Sequence, residues 1–243
     1  MKSTLIKSVK LFIIFFLFSN ISNAQEIVKT FHEDGITAEN RLYLKSEFGN
    51  FKSIPEEFED QVLIALSYFP ELKNINIKFR IKNRITPLTT RPNLMGIFKN
   101  AEKRTYIITI STKSTSYLDA IIFKNLNYNA QIGVLGHELS HVSSYLNNGF
   151  GKMWNIVWIE IFSKKKVNQF EYNTDLNCIN HGLGYQLLDW SINVRENLDR
   201  VNWLGAVNLT ADTKSERYMN PSTIVEILNS HPLYQESQKS ASN

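Results

Sequence analysis

Along residues 75–82 apolar and polar side chains alternate: Ile75, Ile77, Phe79 and Ile81 are interleaved with Asn76, Lys78, Arg80 and Lys82. That is the period of a half-buried strand, and Pro87 and Pro92 are expected to end the region. Tyr106, Ile107, Ile108 and Ile110 mark a second β-forming run at 105–111, after the polar turn 99–104. Upstream, Ser53-Ile54-Pro55-Glu56-Glu57 reads as a helix start, and Phe58, Val62, Ala65, Leu66 and Phe69 continue the helix to Pro70. Residues 25–50 carry no clear period and receive no assignment. From Ser114 onward the period is helical, over 117–124 and then in a long helix over 128–146 closed by Asn147-Asn148-Gly149. Further helices are predicted over 165–181, stopped by Gly182, over 185–198, and after Pro221 through Ile224, Ile227 and Leu228, before a polar tail. Strands first and helices after, without strict alternation, predict a mainly helical α+β domain with a small sheet N-terminal to the long helix.

Composition fits this picture. With 43% hydrophobic and 21% charged residues and only 10 Gly and 6 Pro, the chain has the make-up of one globular domain with a sizeable core. The formal charge of +4 comes partly from Lys2, Lys7 and Lys10, and nothing in it calls for a nucleic-acid partner. Those lysines precede the apolar run 11–18, and Ser22-Asn23-Ala24 offers small residues at cleavage spacing. The expectation is a signal peptide over 1–24, a single domain over 25–243, and export to a periplasmic or extracellular location. The apolar run is shorter than the ~20 residues a membrane span needs, and an uncleaved anchor is the alternative. Cys178 is the only cysteine, which excludes an internal disulfide.

The chemistry-bearing string is HELSH at 137–141, in the middle of the predicted long helix. His137 and His141, one turn apart, project from one face and can share one ion, and Glu138 beside them can take a proton from water. Given this composition a chance HExxH is expected about 0.007 times, so the string is informative. On a helical wheel Tyr128, Ile132, Leu135, Leu139, Val142 and Leu146 form a core-facing stripe. Around the histidines lie Ala130, Gly133, Ser140 and Ser144, small enough to admit a metal and a second helix. A catalytic zinc needs a third protein ligand. Glu171 and Asp175, one turn apart in FEYNTD, lie 30 and 34 residues beyond His141. One can bind the metal while the other hydrogen-bonds a ligand histidine and fixes its tautomer.

HExxH followed on a later helix by ExxxD resembles the gluzincin zinc metallopeptidases, and within them the HtpX-like and CAAX-prenyl-protease branch more than thermolysin. The resemblance spans 105–182, and Asn173-Thr174 stands where that branch usually has Glu-Ala. It implies a zincin-like domain with Zn2+ held by His137, His141 and Glu171, Glu138 as general base, and Asp175 behind a ligand histidine. His231, in Ser230-His231-Pro232, resembles a late Thr-His-Pro element of the branch. With Tyr218 and Arg217 it is a candidate for holding the oxyanion; the alternative for His231 is an ordinary loop histidine. His181 and Cys178 are read as a helix-end histidine and a small buried cysteine rather than as ligands.

Two further segments have open readings. Residues 154–166, with Trp154, Trp158 and Phe162 before Lys164, Lys165 and Lys166, fit either a packing helix that covers the site or a peripheral membrane contact. The strand at 105–111 is either an edge above the metal that pairs with an extended peptide or a central core strand. The expected function is an exported zinc metallopeptidase acting on a peptide or protein substrate. The alternative is a zinc-stabilised, non-catalytic binding or quality-control module at the cell envelope.

Overall fold

In the computed structural model the described residues are 27–93, 96, 99–146, 164–203 and 217–235. The expected signal peptide, the Asn147-Asn148-Gly149 helix stop, most of the aromatic segment 154–166 and the polar tail lie outside them. The fold is α+β and mainly helical, with one four-stranded mixed sheet. Its strands are β1 (Lys52–Ser53), β2 (Asn76–Ile81), β3 (Leu88–Pro92) and β4 (Thr105–Ile110), in the order β1-β2-β4-β3. β1, β2 and β4 run parallel, and β3 is antiparallel to β4, with Pro92 opposite Tyr106.

The alternation in β2 places Ile77 and Phe79 inside, while Ile81 at its end is exposed. β4 has both flanks paired and is buried from Tyr106 to Ile110, which corrects the edge-strand reading of 105–111: it is a central strand. The margin next to the helical layer is β3, a strand the proline-bounded stretch 87–92 did not announce. Proline is tolerated at the end of an outer strand because the N–H it lacks need not join a ladder.

The helices are α1 (Ala38–Phe48), α2 (Glu59–Ser67), α3 (Tyr128–Leu146), α4 (Lys164–Asn180), α5 (Gly184–Arg200) and α6 (Pro221–Ser230). Residues 53–58 form a strand end and a short 3-10 turn before α2, and 117–124 is two 3-10 segments rather than one helix. α1 buries none of its residues and leaves Leu42 and Tyr43 exposed, so it has no apolar period to read. Thr37 caps it by accepting from Asn40 N, and Arg41–Asp60 and Lys45–Glu59 ion pairs tie it to α2. Lys52 Nζ lies 2.8–3.1 Å from the carbonyl oxygens of Asn50, Leu72, Lys73 and Ile75, and burial pushes its pKa down to about 8. Among the described residues no helix is long and apolar enough to cross a membrane.

α3 is the axis of the molecule. Sixteen of its nineteen residues are buried, so its polar face is enclosed as well as its apolar stripe. It packs against α5, α2, α4 and β3. At Gly133 a Cβ would sit 2.1 Å from Gln186 O, which means the α3 and α5 backbones touch there. Near the end of α4, His181 Nδ1 faces Asn177 O at 2.7 Å and Nε2 faces Glu71 Oε1 at 3.1 Å. Both neighbours only accept, so the imidazolium is the form that satisfies both nitrogens.

Gly133→Ala is expected to destabilise the protein by about 3 kcal/mol, because the α5 backbone must move. Gly35→Ala, whose Cβ would meet nothing closer than 3.8 Å, is the near-neutral control in the same urea titration. A second expectation concerns pH. Burial pushes His181 down, but Glu71 and the Asn177 carbonyl outweigh it and raise its pKa; burial likewise opposes the net lowering of Glu71 by His181 and Ser143. The raised group stabilises fully below its ordinary 6.5 and loses this as pH climbs through its folded value, while the lowered one stabilises above 4.5 and loses this in acid. The destabilisation caused by Glu71→Gln is therefore expected to be largest between 4.5 and 6.5 and to shrink on both sides, read from denaturation midpoints across pH.

Candidate metal centre

α3 presents His137 and His141 one turn apart, and α4 crosses it so that Glu171 and Asp175 face the two rings. His137 Nε2 lies 3.2 Å and His141 Nε2 3.3 Å from the same atom, Glu171 Oε2. One ligand atom from each of the three residues falls within 4.8 Å of the others. The imidazole nitrogens face the carboxylate oxygen without a directed hydrogen bond to it, so Glu171 Oε2 is buried and unpartnered. Zinc bonds of 2.0–2.1 Å in a tetrahedral shell would separate ligand atoms by about 3.3 Å. Two of the three edges match that spacing.

The outer contacts orient both rings. Asp175 Oδ1 accepts from His137 Nδ1 at 2.7 Å, leaving Nε2 to face Glu171. The other carboxylate oxygen, Oδ2, accepts from Met219 N at 2.8 Å. Thr174 plays the corresponding part for His141: its hydroxyl donates to Phe170 O at 2.9 Å, and His141 Nδ1 lies 3.3 Å from the same oxygen. A hydroxyl that donates to the carbonyl has lone pairs left to accept Nδ1–H, which leaves His141 Nε2 as the ligand nitrogen. Phe170 stacks on the His141 ring, with centroids 5.2 Å apart.

The electrostatics are those of a cation site. Burial alone would lower the pKa of His137, but Asp175 and then Glu171 outweigh it and raise it to about 10. Burial would raise that of Glu171, and His137 and His141 instead hold it well below the usual carboxylate range. The field that favours a proton on His137 equally favours a metal ion in its place. Glu138, next along α3, is buried with Oε2 unpartnered, and it lines the same cavity as His137, Asp175 and Tyr218. Leaving a buried carboxylate oxygen without a partner costs roughly 1–3 kcal/mol, so the unpartnered Glu138 Oε2 fits a wall built to receive an occupant. Two imidazoles and one carboxylate could hold a divalent metal ion and leave a coordination position open.

Compared with family models, with curated proteins and with solved structures, the chain matches none. The functional reading therefore rests on this geometry.

The oxyanion candidates separate. Tyr218 is beside the site, its ring 5.6 Å from that of His137, and burial together with the Glu171 carboxylate pushes its phenol far up, so it stays a donor. Arg217 Nη2 is 3.6 Å from Glu171 Oε1. His231 is elsewhere: its Nε2 contacts Asn180 Oδ1 at 3.0 Å, nine residues or about 13 Å along α4 from Glu171, and it is withdrawn as an oxyanion donor. Cys178 is in the core and His181 is bound to Glu71, so neither reaches the site.

Three participants escaped the sequence reading: Thr174, Trp190, whose ring lies 5.2 Å from that of His137, and the Met219 backbone. Only Thr174 left a signal, as a hydroxyl where the resembled branch has alanine. If the three residues hold zinc, Thr174→Val is expected to weaken the binding of added zinc about 10-fold to 100-fold and Thr174→Ser to restore it, measured by competition with a chromogenic chelator.

Proposed function

We propose that the protein is a zinc-dependent peptidase of the gluzincin kind, exported by its first 24 residues, in which His137, His141 and Glu171 hold the metal. The observation that carries this reading is the convergence of three ligand atoms on one buried point, with the unpartnered Glu138 carboxylate on the adjoining cavity wall. Zinc, when bound, supplies a Lewis acid for the scissile carbonyl and for water. Glu138 takes the proton from the attacking water and delivers it to the leaving amine. Asp175 and Thr174 hold the two rings in the tautomers that leave Nε2 free. Tyr218, kept protonated, donates to the oxyanion, with Arg217 as the neighbouring cation.

A peptide is favoured over other acyl substrates by the sheet margin. β3 is the outer strand, Thr90 Oγ1 donates to Glu138 O at 3.3 Å, and among the described residues no strand pairs with the other side of β3. An extended chain added there would lie alongside the helix that carries the general base.

Glu138→Gln is expected to retain one zinc per chain and lose cleavage by at least about 100-fold, whereas His141→Ala loses both. Metal content is read by mass spectrometry and cleavage by a peptide-mixture digest with and without chelator. Full cleavage by Glu138→Gln sinks the mechanism. Zinc bound stoichiometrically without any chelator-sensitive cleavage by the wild type sinks the peptidase reading in favour of a non-catalytic zinc module.

A further inference from the structure

A cavity of about 210 Å³ opens beside the candidate centre, and His137, Glu138, Asp175 and Tyr218 contribute to its wall. Whatever fills it is held against the general base. The rest of the wall is largely apolar: Leu88 comes from β3, Val134 from α3, and Leu187, Val194 and Trp190 from α5. Two polar side chains of the wall, Ser191 and Arg195, already have partners. Ser191 Oγ donates to Met219 O at 2.9 Å, and the Arg195 guanidinium donates to Ser191 O and to Asn220 Oδ1, each at 2.7 Å. An ordered water needs two to four polar partners, and away from the metal ligands this wall offers few, so an apolar occupant is favoured.

Size narrows the class. An apolar cavity of about 150 Å³ suffices for benzene, so this one accepts a phenyl or indole ring. Trp190 and Trp203 in the wall offer edge and face contacts to such a ring. Pro87 and Leu118 also line the cavity, and Ile85 and Tyr117, close to them in sequence, are 71% and 52% exposed. Leu88 is also the first residue of β3. A peptide laid along that strand points alternate side chains to one face, and one of them would enter the cavity.

We propose that this cavity is a specificity pocket for one aromatic side chain of the peptide substrate, adjacent to the scissile bond. The assignment of the occupant as part of a peptide substrate rests on the peptidase reading above.

Two measurements on the full chain test it. The first compares kcat/KM for matched peptides with Phe, Leu or Ala on either side of the cleaved bond. Wild type is expected to prefer Phe to Ala at one of these positions by about 100-fold, and Val194→Phe, which fills the cavity, to bring that ratio towards one. Ile121→Phe, a second filling change at the half-buried rim, guards against a folding defect in the first, with circular dichroism as the check. The second measurement is calorimetric titration of metal-free protein with indole. One saturable site is expected, lost in both filling variants. Cleavage without an aromatic preference, together with no indole site, overturns the pocket and leaves the peptidase reading standing. Saturable indole binding by a protein that cleaves no peptide overturns the peptidase reading, and the substrate assignment with it.

Discussion

A helix enclosed on every side can carry ionisable groups only if partners are delivered to it, since an unpaired charge in a dry interior costs several kcal/mol. α3 carries two imidazoles and a carboxylate within five residues, all buried. The partners of the two imidazoles come from α4: Glu171 spans the two Nε2 atoms, Asp175 takes one Nδ1, and Thr174 takes the other, while Glu138 Oε2 keeps none. The packing of these two helices is therefore set by charge satisfaction as much as by apolar contact. Where α3 meets α5 the constraint is different, because Gly133 lets the backbones touch and fixes the position of the helix that supplies Trp190 and the cavity wall.

That division explains the shape of the site. The charged side of α3 faces α4 and the segment 217–220, while the cavity lies where α5, β3 and the 3-10 segments come together. Glu138 sits between these two environments. It lines a cavity that has His137 and Asp175 on one side and apolar surface on the other, the setting the proposed general base requires.

Much of this was legible along the chain, for identifiable reasons. HELSH announced itself because its chemistry is compressed into five consecutive residues of one helix. Glu171 and Asp175 could be paired with it because a zinc site is incomplete without a third ligand. α3 was readable because its apolar stripe keeps the helical period from Tyr128 to Leu146. β3 was not readable, since Leu88-Thr89-Thr90-Arg91 between prolines has no alternation of its own and owes its conformation to β4. α1 was missed because it is held by ion pairs rather than by an apolar face. Thr174 was missed for a subtler reason. On α4 the inward surface centred on Asp175 and Cys178 includes this polar residue, whereas the apolar pattern through Tyr172 and Leu176 describes half-buried positions. His231 misled because a local tripeptide says nothing about which end of α4 it will meet.

Asp175 touches the candidate centre and the cavity at once. Through one oxygen it orients the His137 ring, and through the other it grips the main chain at Met219, whose neighbour Tyr218 lines the pocket. The grip is on an N–H, which every amino acid except proline possesses. Drift at position 219 is thus free to remodel the pocket's wall through the side chain while the anchor to Asp175 persists. Position 175 has no such freedom, because any replacement there loosens both ends of the bridge. The fold consequently separates what can vary, the shape of the cavity wall, from what cannot, the placing of the His137 ring, within a single pair of hydrogen bonds.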